Sequence, residues 1–143
     1  MTAAKRKHVL VTGASGFIGE AVVAALAADG GYAVTATDAK PAPAECPEGV
    51  QYVAGDISDP ALLTGLCSEK IDAVIHLATL PSGAAEKDPQ MAKRINLDAT
   101  MALAERVCDQ ASPPRVVFAS SIAVYTTHDG EAVDDAPPVA PEL

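Results

Sequence analysis

The sequence predicts an α/β fold built on a parallel, doubly wound sheet, and three observations carry that reading. Strand and helix signals alternate along the chain, each strand being followed by a helix or a crossover. The run from Val9 to Gly19 joins a short apolar strand to a helix through a glycine turn. Ile71 to Leu77 is almost continuously apolar, as suits a strand covered on both faces. At 143 residues the chain is one domain by size, large enough to bury roughly two-thirds of its unfolded surface.

His8 to Thr12 is the first strand. Phe17 to Asp29 follows as a helix with Ile18, Val22, Ala25 and Leu26 on one face. Gly30-Gly31 stops it, since glycine accepts the left-handed turn a helix end requires. Tyr32 to Thr37 is the second strand, a Pro-rich loop spans Lys40 to Gly49, and Val50 to Ala54 is the third strand, ending at Gly55-Asp56. Asp59-Pro60 opens a helix to Ser68, with Asp as cap and Pro at the first helical position. Ile71 to Leu77 is the fourth strand. After a loop, Pro89 to Ala111 reads as one long helix, Pro113-Pro114 ends it, and Arg115 to Ala119 is the fifth strand. Right-handed crossovers then give the strand order 3-2-1-4-5. Residues 1–125 make this domain, and residues 126–143, acidic and Pro-rich without a period, read as a loop or tail.

Composition narrows the partners. A net charge of −9 would repel phosphates, so neither nucleic acid nor an anionic membrane is expected. No segment approaches the ~20 apolar residues of a membrane span. Lys5-Arg6-Lys7 imitates the basic start of a signal peptide, but the apolar stretch after it is only Val9 to Val11. A cytoplasmic protein is expected. Cys46, Cys67 and Cys108 are odd in number and widely spaced, which suits reduced thiols and no metal site.

The glycine turn carries the chemistry. Backbone N–H groups and the positive end of the first helix would face a pyrophosphate. Gly13 permits the tight turn, Gly16 lets a cofactor approach, and Gly19 lets the helix sit against the strands. Asp38, nineteen residues beyond Gly19, closes the second strand. Its carboxylate would accept both ribose hydroxyls and repel a 2′-phosphate, so the cofactor is NAD rather than NADP, with Lys40 close by. The same turn on another nucleotide, such as a nucleotide sugar, stays open.

Five motifs now fall in one order: Thr12-Gly13-Ala14-Ser15-Gly16-Phe17-Ile18-Gly19, Gly55-Asp56-Ile57-Ser58-Asp59, His76-Leu77-Ala78, Asn96 within Arg94-Ile95-Asn96-Leu97-Asp98, and Ser120-Ser121-Ile122-Ala123-Val124-Tyr125. Together they resemble the extended short-chain dehydrogenase/reductases, the NAD-dependent epimerase/dehydratase group, whose domain is of the Rossmann type. The resemblance implies that Ser15, Phe17 and Ile18 join the glycines around the cofactor. It implies that Asp56 hydrogen-bonds the adenine amino group while Ile57 packs on the ring. Leu77, Ala78 and Thr79 would line the pyrophosphate and nicotinamide ribose, with Ser120 beyond them. Asn96 would fix the active-site backbone and its water, and Ser121 would be the catalytic residue that hydrogen-bonds the reacting hydroxyl or carbonyl. Leu80 to Glu86 and Asn96 to Thr100 look most like the sugar-acid branch, the erythronate dehydrogenase-like proteins, with Thr79 and Ser82 toward a sugar or sugar-acid substrate.

The same resemblance marks departures. Hydride transfer in the family uses Tyr-x-x-x-Lys, the Lys lowering the pKa of the basic Tyr. Here no Tyr follows Tyr125 and no Lys follows Arg115, and Thr126 stands where the family places Gly. The expectation is a sheet truncated after its fifth strand, inactive alone, with an apolar patch exposed on the sheet, on the 89–111 helix, or on both. That helix is the family's dimer face, so a homodimer through it is a further expectation. A non-catalytic NAD-binding or interaction module remains the alternative.

Overall fold

The computed structural model describes residues 6–121. Residues 126–143, and Ile122 to Tyr125 of the last motif, lie outside them. Among the described residues five strands form one parallel sheet: β1 (Lys7–Thr12), β2 (Tyr32–Asp38), β3 (Gln51–Ala54), β4 (Ala73–His76) and β5 (Arg115–Phe118). Their order is β3-β2-β1-β4-β5, as predicted.

Alternation along β1 assigns the two faces. Val9 and Val11 pack with Val23, Val34 and Ala36 beneath α1 (Phe17–Asp29). Leu10 points the other way, into a core with Leu63 and Leu66 of α2 (Pro60–Leu66) and Leu103 and Val107 of α5 (Thr100–Cys108). Asp59 caps α2 by accepting the Ala61 N–H at 2.8 Å, and Pro60 occupies its first turn.

Four local expectations change. The buried stripe of α1 is Gly19, Val22, Val23 and Leu26, whereas Ile18 and Ala25 face solvent. This helix is apolar nearly all round, so its pattern does not mark a face, and contact of Gly19 with the turn chooses one. The fourth strand shortens to β4, although Ile71 is fully buried in the core. The loop after β4 contains a single helical turn, α3 (Ser82–Ala85). The long helix is composite: α4 (Pro89–Ala92), a π-helical segment Lys93–Ala99, then α5, which stops at Cys108 rather than Ala111. The irregularity falls where the Thr100 hydroxyl takes the Asn96 carbonyl at 3.0 Å, drawing it from the ordinary helical ladder.

The apolar patch is present on both elements. Val116, Val117 and Phe118 of β5 are about half exposed, as are Leu97 and Met101. Among the described residues, no helix is long and apolar enough to cross a membrane.

Candidate functional site

Parallel pairing aligns the carboxyl ends of three strands. Thr12 of β1 stands opposite Thr37 of β2 and His76 of β4, so the segments that follow converge at one edge of the sheet. Ligands of open α/β sheets bind outside these ends, where the strand order reverses.

The glycine turn is pressed against its neighbours. Gly13 has φ +68°, and a Cβ there would lie 2.6 Å from the backbone of Leu77 and Ala78. A Cβ on Gly19 would lie 2.1 Å from the Gly13 carbonyl oxygen. Both positions therefore exclude any side chain. Gly16 caps α1 with extended backbone and offers no side-chain bond, leaving first-turn N–H groups available to an anion. Phe17 and Ile18 are exposed at the start of that turn.

Asp38 ends β2 beside the turn. Its Oδ2 accepts the Ser15 N–H at 3.1 Å and its Oδ1 the Lys40 N–H at 3.0 Å. A carboxylate has about four acceptor sites, so capacity remains for a diol. Asp56 is exposed at the end of the β3 turn; its Oδ1 accepts the N–H and the hydroxyl of Ser58 at 2.9 and 2.7 Å. Those bonds, the amide first, with the Arg94 guanidinium at 3.3 Å, hold the carboxyl below the usual range. Ile57 is 7% exposed and turns most of its side chain into the core with Leu10, Leu63 and Leu66.

Asn96 reaches back to the segment after β4. Its Oδ1 accepts the Leu80 N–H at 2.7 Å and the Thr79 hydroxyl at 3.2 Å, while its Nδ2 donates to the Leu80 carbonyl at 3.0 Å. One amide thus closes a two-way clamp on that backbone. Leu77 and Ala78 are half-buried, and Thr79 is exposed beside Asn96. Ser120 and Ser121 follow β5, both exposed; Tyr125 lies outside the described residues.

Sequence reasoning missed three contributors. Arg94 joins the π-helical segment to Asp56. Tyr52 of β3 donates to the Lys40 carbonyl at 3.1 Å, and burial, with the Asp38 carboxylate, pushes its phenol up. His76 is buried and bonded through both ring nitrogens, to Thr12 at 2.6 Å and Thr100 at 2.9 Å. Cross-strand register brings Thr12 to the ring, and the start of α5 brings Thr100. A cleft of about 690 Å³ against Lys7, His8, Thr35 and Lys70 opens at the other end of the strands and shares no residue with the turn.

A glycine-turn helix, an acid closing β2 and a sheet reversing beside them define a dinucleotide-binding α/β domain. The chain belongs to the NAD dependent epimerase/dehydratase family, whose model matches residues 9–142. It is 38% identical over 128 residues to a D-erythronate dehydrogenase of Cupriavidus necator, covering 82% of this chain and 40% of that protein. It superposes on MoeE5 in complex with UDP-glucose and NAD with TM-score 0.75 and 38% identity, covering 92% of this chain and 42% of that one. A UDP-glucose-4-epimerase from Stenotrophomonas maltophila with bound NAD gives 0.78 and 30%, over 95% and 44%. The chain therefore spans about two-fifths of the length of these relatives.

Proposed function

We propose that this chain is the NAD-binding part of an oxidoreductase or epimerase acting on a sugar or sugar acid. The carrying observation is the clearance at Gly13 and Gly19: the turn is packed so that its amides, not side chains, line the cradle. The residues fit the cofactor. First-turn amides from Phe17 onward bind pyrophosphate, and Asp38 takes the ribose diol. Asp56 receives the adenine amino group, with Ile57 contributing the small surface it leaves exposed. Leu77, Ala78 and Thr79 flank the nicotinamide half, on backbone that Asn96 holds. Bound NAD supplies the hydride acceptor. Ser120 borders the site, and Ser121 orients the substrate hydroxyl or carbonyl by hydrogen bonding.

A base is the missing partner. A phenol has pKa near 10, so a Tyr needs a neighbouring cation to remove a proton at neutral pH. No Lys or Arg follows Arg115. We therefore assign this chain cofactor binding without turnover of its own. D-Erythronate dehydrogenases among the relatives favour a sugar acid over a nucleotide sugar. Leu97 and Met101 favour a homodimer through the 89–111 segment. The same exposed apolar faces favour a second reading, a non-catalytic module whose β5 side meets a protein partner.

Calorimetric titration with NAD and NADP tests the cofactor reading, with NADP expected roughly tenfold weaker because Asp38 opposes its phosphate. Equal affinities, or no NAD binding, would count against it. Following NADH formation with sugar acids and UDP-sugars tests inactivity. Any sustained NAD reduction by the purified chain would overturn that assignment.

A further inference from the structure

We propose that His76 is a positioning residue for the dinucleotide: a neutral imidazole protonated on Nε2, it aims the Thr12 hydroxyl so that Thr12 holds Leu77 and Ala78 against the glycine turn. The proposal deepens the NAD-binding reading and rests on it.

Donor counting assigns every proton in this network. Thr12 Oγ1 lies 3.2 Å from the backbone nitrogens of Leu77 and Ala78, which can only donate. The Leu77 N–H also reaches the Thr12 carbonyl at 3.1 Å, so Ala78 is the amide that depends on the hydroxyl. A hydroxyl has two lone pairs and one proton. The Thr100 hydroxyl gives its proton to the Asn96 carbonyl at 3.0 Å, so across 2.9 Å it accepts from His76 Nε2. A neutral imidazole with its proton on Nε2 has a bare Nδ1, and the Thr12 hydroxyl donates to it at 2.6 Å. Donation runs in one direction, from the Ala78 amide through Thr12, His76 and Thr100 to Asn96.

The path closes on itself, because the Asn96 side chain returns to Thr79 and Leu80. Thr12 thus fixes the start of the segment after β4 and Asn96 its end. The same backbone faces Gly13 with no room for a methyl group. A proton on Nδ1 would oppose the Thr12 proton and force that hydroxyl to turn, releasing the Ala78 amide. The groups facing the ring are the Thr12 and Thr100 hydroxyls and the Phe118 ring, stacked at 5.8 Å. Burial disfavours the charged imidazole, in keeping with this arrangement.

Calorimetry with NAD and imidazole ¹⁵N NMR on the intact chain test the proposal. His76→Leu is expected to weaken NAD by about tenfold, and His76→Asn, whose Oδ1 replaces the Nδ1 acceptor, to recover to within about threefold. A merely space-filling role predicts the opposite order, since Leu suits a buried site better than Asn. Leu binding as tightly as Asn would overturn the proposal. Should His76→Leu not fold, Thr100→Val carries the test: about threefold weaker NAD supports the relay, and unchanged affinity overturns it. The NMR stands apart from NAD. A protonated Nδ1 overturns the relay even if the wild-type chain binds no NAD, a result that would by itself reject the function reading.

Discussion

The glycine turn and the π-helical segment hold the same four-residue stretch, Leu77 to Leu80, by opposite means. The turn works by having no side chains, so two backbones meet where a methyl group would not fit. The π-helical segment works through side chains that reach: Asn96 to Leu80, and Arg94 across to Asp56. A site made by subtraction fails when atoms are added. A site made by reach fails when polar atoms are removed, and by an amount set by how buried they are.

Ranking substitutions by that rule tests it. Gly19→Ala should do most, because its Cβ would sit 2.1 Å from a backbone oxygen. NAD binding should fall below detection, with a loss of about 3 kcal/mol in a denaturant titration. Asn96→Ala should follow at about 2 kcal/mol, with hydrogen exchange at the Leu80 amide accelerating as the clamp opens. If Asn96→Ala proved the costlier change, the contrast between the two regions would be wrong.

Next comes acidity. Burial lowers the folded-state pKa of His76, so the unfolded chain takes up this proton first as pH falls. Stability from the neutral ring is complete above the unfolded value, near 6.5, and is lost as pH drops toward the lower folded value. The slope from this group is at most about 1.4 kcal/mol per pH unit, and chemical denaturation of wild type against His76→Asn isolates it. Asp38→Ala should shift the NAD to NADP affinity ratio by about tenfold, read by paired titrations. Arg94→Ala should do least, under about 1 kcal/mol, because its ion pair with Asp56 is half exposed. A thermal melt detecting more would reveal a structural role for the link between the π-helical segment and Asp56.

Much of this was legible beforehand, and the reason is locality. β1, the turn and α1 are contiguous, so Val9 to Gly19 carries its own geometry. Asp38 follows from strand length, and the sheet order from the handedness of crossovers. The phase of α1 was not legible, because alanines on every side leave no apolar stripe to read. The π-helical segment was hidden for another reason. Its residues suit an ordinary helix, and the departure coincides with the Thr100 hydroxyl, the Asn96 carbonyl and the buried ring of His76.

The order of motifs along the chain therefore settles the fold, the glycine turn and the acid beside it, because each is made by neighbours in sequence. Packing in three dimensions settles the rest. Thr12 meets His76 across a distance of 64 residues because two parallel strands pair in register. Asn96 finds Leu80 because its helix lies over the end of β4. Ile57 turns mostly into the core against Leu63 and Leu66 of α2. Hydrogen-bond roles at His76 depend on who its neighbours are, and no spacing along a chain records that.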